Sequence, residues 1–160
     1  MMEHATLEEE AKAIHGYTGG MVCYSIAYLS DAPLPLGREV TLRLLRPKDQ
    51  RMVNDLHQGA NPALIACSLL EGRLFAGWAG DTLVGFIGCH EEGSLGMLYV
   101  LPQHRRQGYA QAMEAQLINR CLQRGRRVFG QIRVGNDASI ALHRRMGFSI
   151  SDTPGSWHWQ

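Results

Sequence analysis

The 160-residue sequence has no long hydrophobic run. No window reaches the roughly 18 consecutive apolar residues that a membrane-spanning helix requires. The opening residues, MMEHATLEEEAK, are acidic where a secretion signal would be basic and then apolar, so a soluble, cytoplasmic protein without a membrane partner is expected. Paired cysteines are also missing. Cys23, Cys67, Cys89 and Cys121 are far apart, with no CxxC and no ligand-like spacing, which argues against a metal site or a disulfide frame. Most of them are expected to be small core residues with reduced thiols. No repeat is visible. The G-x-G-x-x-G triplet of dinucleotide-binding folds does not occur between a predicted strand and helix, and the missing G-K-[ST] excludes a Walker loop.

What is present suits one compact domain. The chain is 45% hydrophobic, and roughly 100 to 200 residues suffice to close a single core. Its net charge of +1 hides an asymmetry. From Leu101 onward nine arginines stand against Glu114, Asp137 and Asp152, whereas the first hundred residues hold seven basic and twelve acidic groups. A basic C-terminal part implies an anionic ligand or a solvated face.

Glu3 to Ile14 reads as a loose helix, Met21 to Leu29 as a strand, and DAPLPLG as a proline-broken linker, so residues 1–36 are set apart as an N-terminal arm and 37–160 as the folded domain. Glu39 to Leu45 alternates as a half-buried strand should, and Pro47 begins a helical pattern through Leu56. A second short helix is predicted over Pro62 to Leu70, with Asn61 as its N-cap. Strands follow at Arg73 to Ala79, Thr82 to His90 and Leu95 to Leu101. A long helix with Ala110, Met113, Leu117 and Cys121 on one stripe comes next, with Gly125 past its end. Then come a strand in RVFGQIRV, a short helix in NDASIALHRRM, and final strands at Phe148 to Ile150 and Trp157 to Trp159. This order predicts an α/β sheet of mixed direction.

The stretch VLPQHRRQGYAQAM carries the chemistry. Val100 ends a strand, Pro102 stops it, and Arg105-Arg106-Gln107-Gly108-Tyr109-Ala110 leads into the long helix. Such a turn aims several unpaired backbone N–H groups at one spot, where the helix dipole also favours negative charge. Gly108, without a Cβ, lets a phosphate approach the main chain, and Ala110 keeps the next turn thin. Arg105 and Arg106 can add charge-assisted bonds. A pyrophosphate fits such a seat.

VLPQHRRQGYA resembles the acyl-CoA-binding motif of the GNAT superfamily of N-acetyltransferases: Arg or Gln, two residues, Gly, one residue, then Gly or Ala, filled here by Arg105, Gly108 and Ala110. A second matching block, NDASIALHRRMGF, lies at the expected distance downstream. The two blocks span Leu95 to Phe148, and GMLYVLPQHRRQGYA with the terminal WHW is most similar to glycine N-acyltransferase C-terminal domains. The resemblance implies a mixed, mostly antiparallel central sheet with helices on both faces. It also implies residues 37–160 as an acyl-CoA N-acyltransferase domain, and direct transfer of an acyl group, usually acetyl, from CoA to a primary amine without metal or covalent intermediate. Leu98, Tyr99 and Val100 would then pair with the pantetheine arm, Arg105 to Ala110 would hold the pyrophosphate through backbone N–H groups, and Asn136 would face the CoA arm, unless it is simply a helix cap. A homodimer is carried by the resemblance alone.

The reaction needs a neutral amine. For a lysine-like amine of pKa about 10.4, roughly one molecule in 2,500 is neutral at pH 7, against about one in six to eleven for an α-amine. Glu91 and Glu92, and less so His90, are the candidate bases, acting through water, unless HEEG is a solvated turn. The leaving thiolate is usually protonated by a Tyr in this family, at the position filled here by His143. His143 is thus the acid, a CoA-positioning residue or a helix-surface histidine. That departure also motivates a competing reading, a non-catalytic CoA-binding regulatory module. Tyr99, Tyr109, Trp157 and Trp159 are candidates for the acceptor pocket or for core. A nucleic-acid partner is disfavoured, because Arg124, Arg126, Arg127, Arg144 and Arg145 have no aromatic platform interleaved with them. The acceptor, a small-molecule or peptide amine, is not encoded in any readable motif.

Overall fold

The structure is a computed structural model that describes residues 14, 16, 19–57 and 61–159. The helix expected from Glu3 lies outside the described residues except for Ile14. The elements are β1 (Gly19–Tyr28), β2 (Thr41–Leu44), α1 (Gln50–Leu56) entered through a 3-10 turn at Pro47–Asp49, α2 (Pro62–Leu70), β3 (Leu74–Ala79), β4 (Thr82–Cys89), β5 (Leu95–Val100), a 3-10 turn at Pro102–His104, α3 (Tyr109–Gln123), β6 (Val128–Arg133), α4 (Asp137–Arg145), β7 (Ser149–Ile150) and β8 (Gly155–Trp159). This is a mixed α/β fold with an eight-stranded, mostly antiparallel sheet. The strands run in the order β2-β3-β4-β5-β6-β1-β7, with β8 pairing β1.

The segment read from sequence as an arm contributes β1, which lies between β6 and β7 in that order. Its register with β8, from Gly19 opposite Trp159 to Cys23 opposite Gly155, joins the two ends of the chain. The described residues form two compact units, one within residues 27–130 and one from those up to residue 26 together with residues 131–159, and β1 and β6 each run from one into the other.

The larger unit is an antiparallel ladder of β2, β3, β4 and β5 with helices on both of its faces. Alternation along the strands decides which side chain goes where. Ala76 of β3 and Phe86 of β4 point to one face, where Val53 of α1 and Ile65 and Leu69 of α2 join Leu45 and Leu74 in a buried apolar cluster. Their neighbours Gly77 and Gly85 point to the other face, against Met113 of α3. A Cβ at Gly77 would collide with the Met113 sulfur, and one at Gly85 with the Tyr99 carbonyl oxygen, so the missing side chains let α3 lie close to the sheet. α2 starts as expected: the Asn61 side chain accepts from the Ala63 N–H at 2.9 Å and Pro62 takes the first helical position. Phe86 is 1% exposed and touches both the cluster and the ring of Tyr99. Phe86→Ala is expected to cost about 3–5 kcal/mol in urea unfolding, the range for a large aromatic truncated in a packed core.

In the smaller unit α4 is capped by Asn136, whose side chain accepts from the Ser139 N–H at 3.2 Å. Val134 N–H donates to the Val22 carbonyl and Ser151 N–H to the Ser25 carbonyl, each at 2.9 Å, which ties β1 to the C-terminal segments.

Candidate active site

The larger unit presents β5 as a strand with an interrupted partner. Among the described residues β5 pairs with β6 at one register, Leu95 opposite Gly130, and the pairing does not continue to Val100. On its other side β5 is bulged. Phe86 stands opposite Tyr99 and Gly88 opposite Gly96, so three steps along β5 match two along β4. The extra residue is absorbed at Met97, whose φ of 52° lies in the left-handed region that non-glycine residues rarely enter. Strain of this kind persists only where the surroundings enforce it, and it re-aims the backbone groups of Leu98 and Tyr99. A strand edge left open next to a bulge can accept an extended ligand as an added strand.

At the end of β5 the chain turns through Pro102–His104 and enters α3 at Gly108. Gly108 has φ +86°, and the space in front of its missing Cβ is empty to 4 Å. Arg106 is also left-handed, with φ 58°. α3 has no side-chain cap; its first internal bond runs from Ala112 N–H to the Gly108 carbonyl, so the N–H groups of Tyr109, Ala110 and Gln111 have no acceptor within the helix. That cluster of donors at a helix N-terminus is an anion seat.

The side chains of this loop brace it more than they reach outward. Arg105 folds back, donating from Nε to the Val100 carbonyl at 3.1 Å with its guanidinium 5.6 Å from the Tyr99 ring centre. The Gln107 side chain donates to the Gln103 carbonyl at 3.0 Å. Tyr109 is buried, packed against His104 and stacked under Arg38, whose guanidinium lies 4.3 Å from its ring centre and donates to the Gln107 carbonyl. Arg38 is a loop residue that sequence reasoning missed, because it precedes the motif by some seventy positions and no local pattern links them.

Beside β5 lies a cavity of about 550 Å³ lined by Asp55, Leu56, His57, Tyr99, Leu101, Pro102 and Gln103. Tyr99, read as either pocket or core, lines it, with its ring stacked at 5.3 Å on Phe86 and 5.2 Å from the His57 ring. His57 closes α1, its N–H bonded to the Val53 carbonyl, and its buried Nδ1 has no hydrogen-bond partner among the described residues. Asp55 is exposed at the same cavity, its carboxylate 3.7 Å from Arg51 Nε in an exposed pair that solvent screens and a second cation can share. Asp55 and His57 were not singled out from sequence: they sit at the end of a short helix with no motif around them.

Glu91 and Glu92 occupy the β4–β5 turn, before the first residue of β5, and the phosphate loop follows its last, with about 20 Å of strand between the two ends. Glu92 accepts from the Ser94 hydroxyl at 2.5 Å. Burial alone would raise its carboxyl, but the bonds from Ser94 and its own backbone, with His90 and Arg73 nearby, hold it below the usual carboxylate range. Glu91 and His90 line a different cavity, with Cys89 and Cys121. Trp157 is 44% exposed in the smaller unit.

Asn136 and His143 also belong to the smaller unit. Asn136 caps α4, so the capping role is present. His143 is 5% exposed and is therefore not a helix-surface histidine. Its Nδ1 lies 2.8 Å from the Ser139 carbonyl oxygen, which as an acceptor places a proton on that nitrogen, and its ring meets Phe148 edge-on at 4.9 Å.

Residues 42–148 match the sequence family described as Acetyltransferase (GNAT) family. No curated protein matches the chain. Among solved structures, a Drosophila protein aligns over 96% of this chain and 56% of its own, at 23% identity and a TM-score of 0.73. A GNAT-family acetyltransferase from Colwellia psychrerythraea covers 96% of this chain and 62% of its own, at 15% identity and a TM-score of 0.68. The diaminobutyrate acetyltransferase of Paenibacillus lautus, in complex with its substrate diaminobutyric acid and coenzyme A, covers 68% of this chain and 75% of its own, at 23% identity and a TM-score of 0.56. The chain thus spans less than two thirds of the length of the first two. Among the described residues no helix is long and apolar enough to cross a membrane, and no three His, Cys, Asp or Glu groups are placed to hold a metal.

Proposed function

Because the chain belongs to the acetyltransferase (GNAT) family, we propose that it transfers an acyl group, acetyl first among them, from CoA directly to a primary amine. The observation that carries this reading is one continuous path in the larger unit: the bulged, half-open β5, then the Gly108 turn with its unpaired donors, and beside them the cavity holding Tyr99, His57 and Asp55. Leu98, Tyr99 and Val100 pair through backbone with the pantetheine arm. Arg105, Arg106, Gln107, Gly108, Tyr109 and Ala110 hold the pyrophosphate, chiefly through N–H groups, and Arg38 keeps the loop in shape. Asp55 draws a cationic amine into the cavity, and His57 accepts a proton from it as the nitrogen attacks the thioester carbonyl. Glu91 and Glu92 are the alternative bases, acting through a chain of waters. The finer likeness to glycine N-acyltransferase C-terminal domains rests on GMLYVLPQHRRQGYA and WHW alone.

The decisive experiment supplies acetyl-CoA with a panel of small and peptide amines and follows release of the CoA thiol. Amine-dependent release supports the enzyme. CoA binding without release by any amine supports the regulatory module, and no binding rejects both.

We assign His143 a positioning role in place of acid catalysis, since its Nδ1 is engaged by Ser139 and its ring is wedged against Phe148. A thiol of pKa about 8.5 leaves with water's help, so His143→Ala is expected to keep kcat within about tenfold of the parent. A larger fall with unchanged CoA affinity would make His143 the proton donor.

A further inference from the structure

The cavity that takes in His90 and Glu91 has a composition that acyl transfer does not use. It encloses about 140 Å³, room for about four or five waters at some 30 Å³ each. Cys89, the last residue of β4, and Cys121, in the final turns of α3, both line it. So do Arg73, Arg120, Arg124 and Arg126. Cys121 follows Gly108 by thirteen positions, which sets this cavity about 20 Å along α3 from the phosphate loop.

Cys89 and Cys121 act on each other: Cys89 is the largest cause holding the Cys121 thiol below the usual thiol range, with burial opposing it and Arg126 and Arg124 assisting, and Cys121, with burial, pushes Cys89 up. The arginines divide by role. Arg73 is committed to Glu71 at 2.6 Å and to the Cys89 carbonyl at 2.9 Å, and Arg120 to the Leu42 carbonyl at 3.2 Å and the Phe75 ring. Arg124 and Arg126 stand exposed at the rim, where they can meet carboxylates arriving from solvent, with Glu91 as the opposing charge.

We propose that Cys89 and Cys121 form a thiol-modification site for anionic low-molecular-weight disulfides, passing through a mixed disulfide on Cys121 to a Cys89–Cys121 disulfide. The Cys121 sulfur attacks one sulfur of the incoming disulfide. The S–S bond breaks, and the other half leaves as a thiolate that takes a proton from water. Cys89 then gives up its proton, attacks the Cys121 sulfur and expels the second half as a thiol. Two protein thiols are oxidised to one disulfide, and one small disulfide is reduced to two thiols. Both sulfurs are otherwise buried, Cys89 being 8% and Cys121 9% exposed, so the cavity they line with Arg124 and Arg126 is the route by which a small anionic disulfide reaches them.

The test uses the reduced, full-length protein with glutathione disulfide as the anionic probe and hydroxyethyl disulfide as the neutral one, each rate divided by that of free N-acetylcysteine. Thiols are mapped by mass spectrometry. Cys89 and Cys121 are expected to disappear together, with a normalised preference for glutathione disulfide of about tenfold at low salt that shrinks as salt is added. Cys89→Ser is expected to stop at a glutathionyl adduct on Cys121, and Cys121→Ser to leave Cys89 reduced. Cys67, the exposed cysteine, is the internal reference. Reaction at Cys67 with Cys89 and Cys121 intact overturns the proposal, as does an equal normalised rate for the two disulfides at every salt concentration. The wild-type arm decides without either variant, and none of these readouts depends on acyl transfer.

Discussion

Gly108→Glu is expected to remove acetyl-CoA binding, with affinity by calorimetry falling at least about 100-fold. Two separate costs reach this figure. The first is conformational: Gly108 has φ +86°, and a residue with a Cβ pays about 1–2 kcal/mol to stay left-handed. The second is electrostatic, because the added carboxylate lies at the helix N-terminus whose N–H groups of Tyr109, Ala110 and Gln111 would otherwise bind the pyrophosphate. A bound carboxylate also answers those donors itself and competes with the ligand. Gly108→Ala separates the costs. Nothing lies within 4 Å of the position its Cβ would take, so the variant bears the conformational cost alone and is expected to lose about tenfold or less. Unimpaired binding in the Glu variant, measured well below its melting temperature, would reject the phosphate seat.

Gly108 also illustrates which features were readable in advance. The sequence placed a glycine between a strand and a helix, and a turn that needs a left-handed residue follows from local chemistry. The same holds for Asn61 and Pro62 at the start of α2, and for the stripe of Met113, Leu117 and Cys121 on α3, where a single element's periodicity or capping decides the outcome. The bulge at Met97 was not readable, because its register depends on how β4 and β5 pair and no residue type announces it. β1 reads from sequence as a strand within an N-terminal arm, and its place in the sheet was not readable for a related reason. Its partner β8 lies at the far end of the chain, and DAPLPLG reads locally as a break even though the chain returns to the sheet after it.

The acceptor side depended still more on tertiary structure. Glu91 and Glu92 read as bases from their charge and their place just before a strand, and their distance from the phosphate loop is invisible in a list of residues. Their turn adjoins Leu95, and the phosphate loop adjoins Val100. His57 and Tyr99 are forty-two positions apart in sequence, yet their rings lie 5.2 Å apart at one cavity. No spacing rule joins the end of a helix to the last residues of a strand four elements later. The reverse holds for Arg105: its charge suggested a direct phosphate contact, and in the fold its Nε serves the Val100 carbonyl.

His57→Gln is expected to lower kcat/KM for a lysine-like amine by about 10²–10³-fold at neutral pH, within the usual range for loss of a general base. The size of the effect follows from the substrate. With roughly one amine in 2,500 neutral at pH 7, an enzyme that must remove a proton gains most where protonation is most complete. The deficit should therefore shrink as pH rises toward the pKa of the amine, and it should be about tenfold or less for an α-amine, which supplies its own neutral form. Asp55→Asn is expected to act differently, raising KM for a cationic acceptor with kcat little changed, because attraction at the mouth of the cavity is felt equally before and during reaction. Glu91→Gln and Glu92→Gln serve as the counter-test. If either of them loses about 10²-fold with the same recovery at alkaline pH while His57→Gln does not, the proton leaves through the β4–β5 turn, and the cavity beside Tyr99 is left with recognition alone.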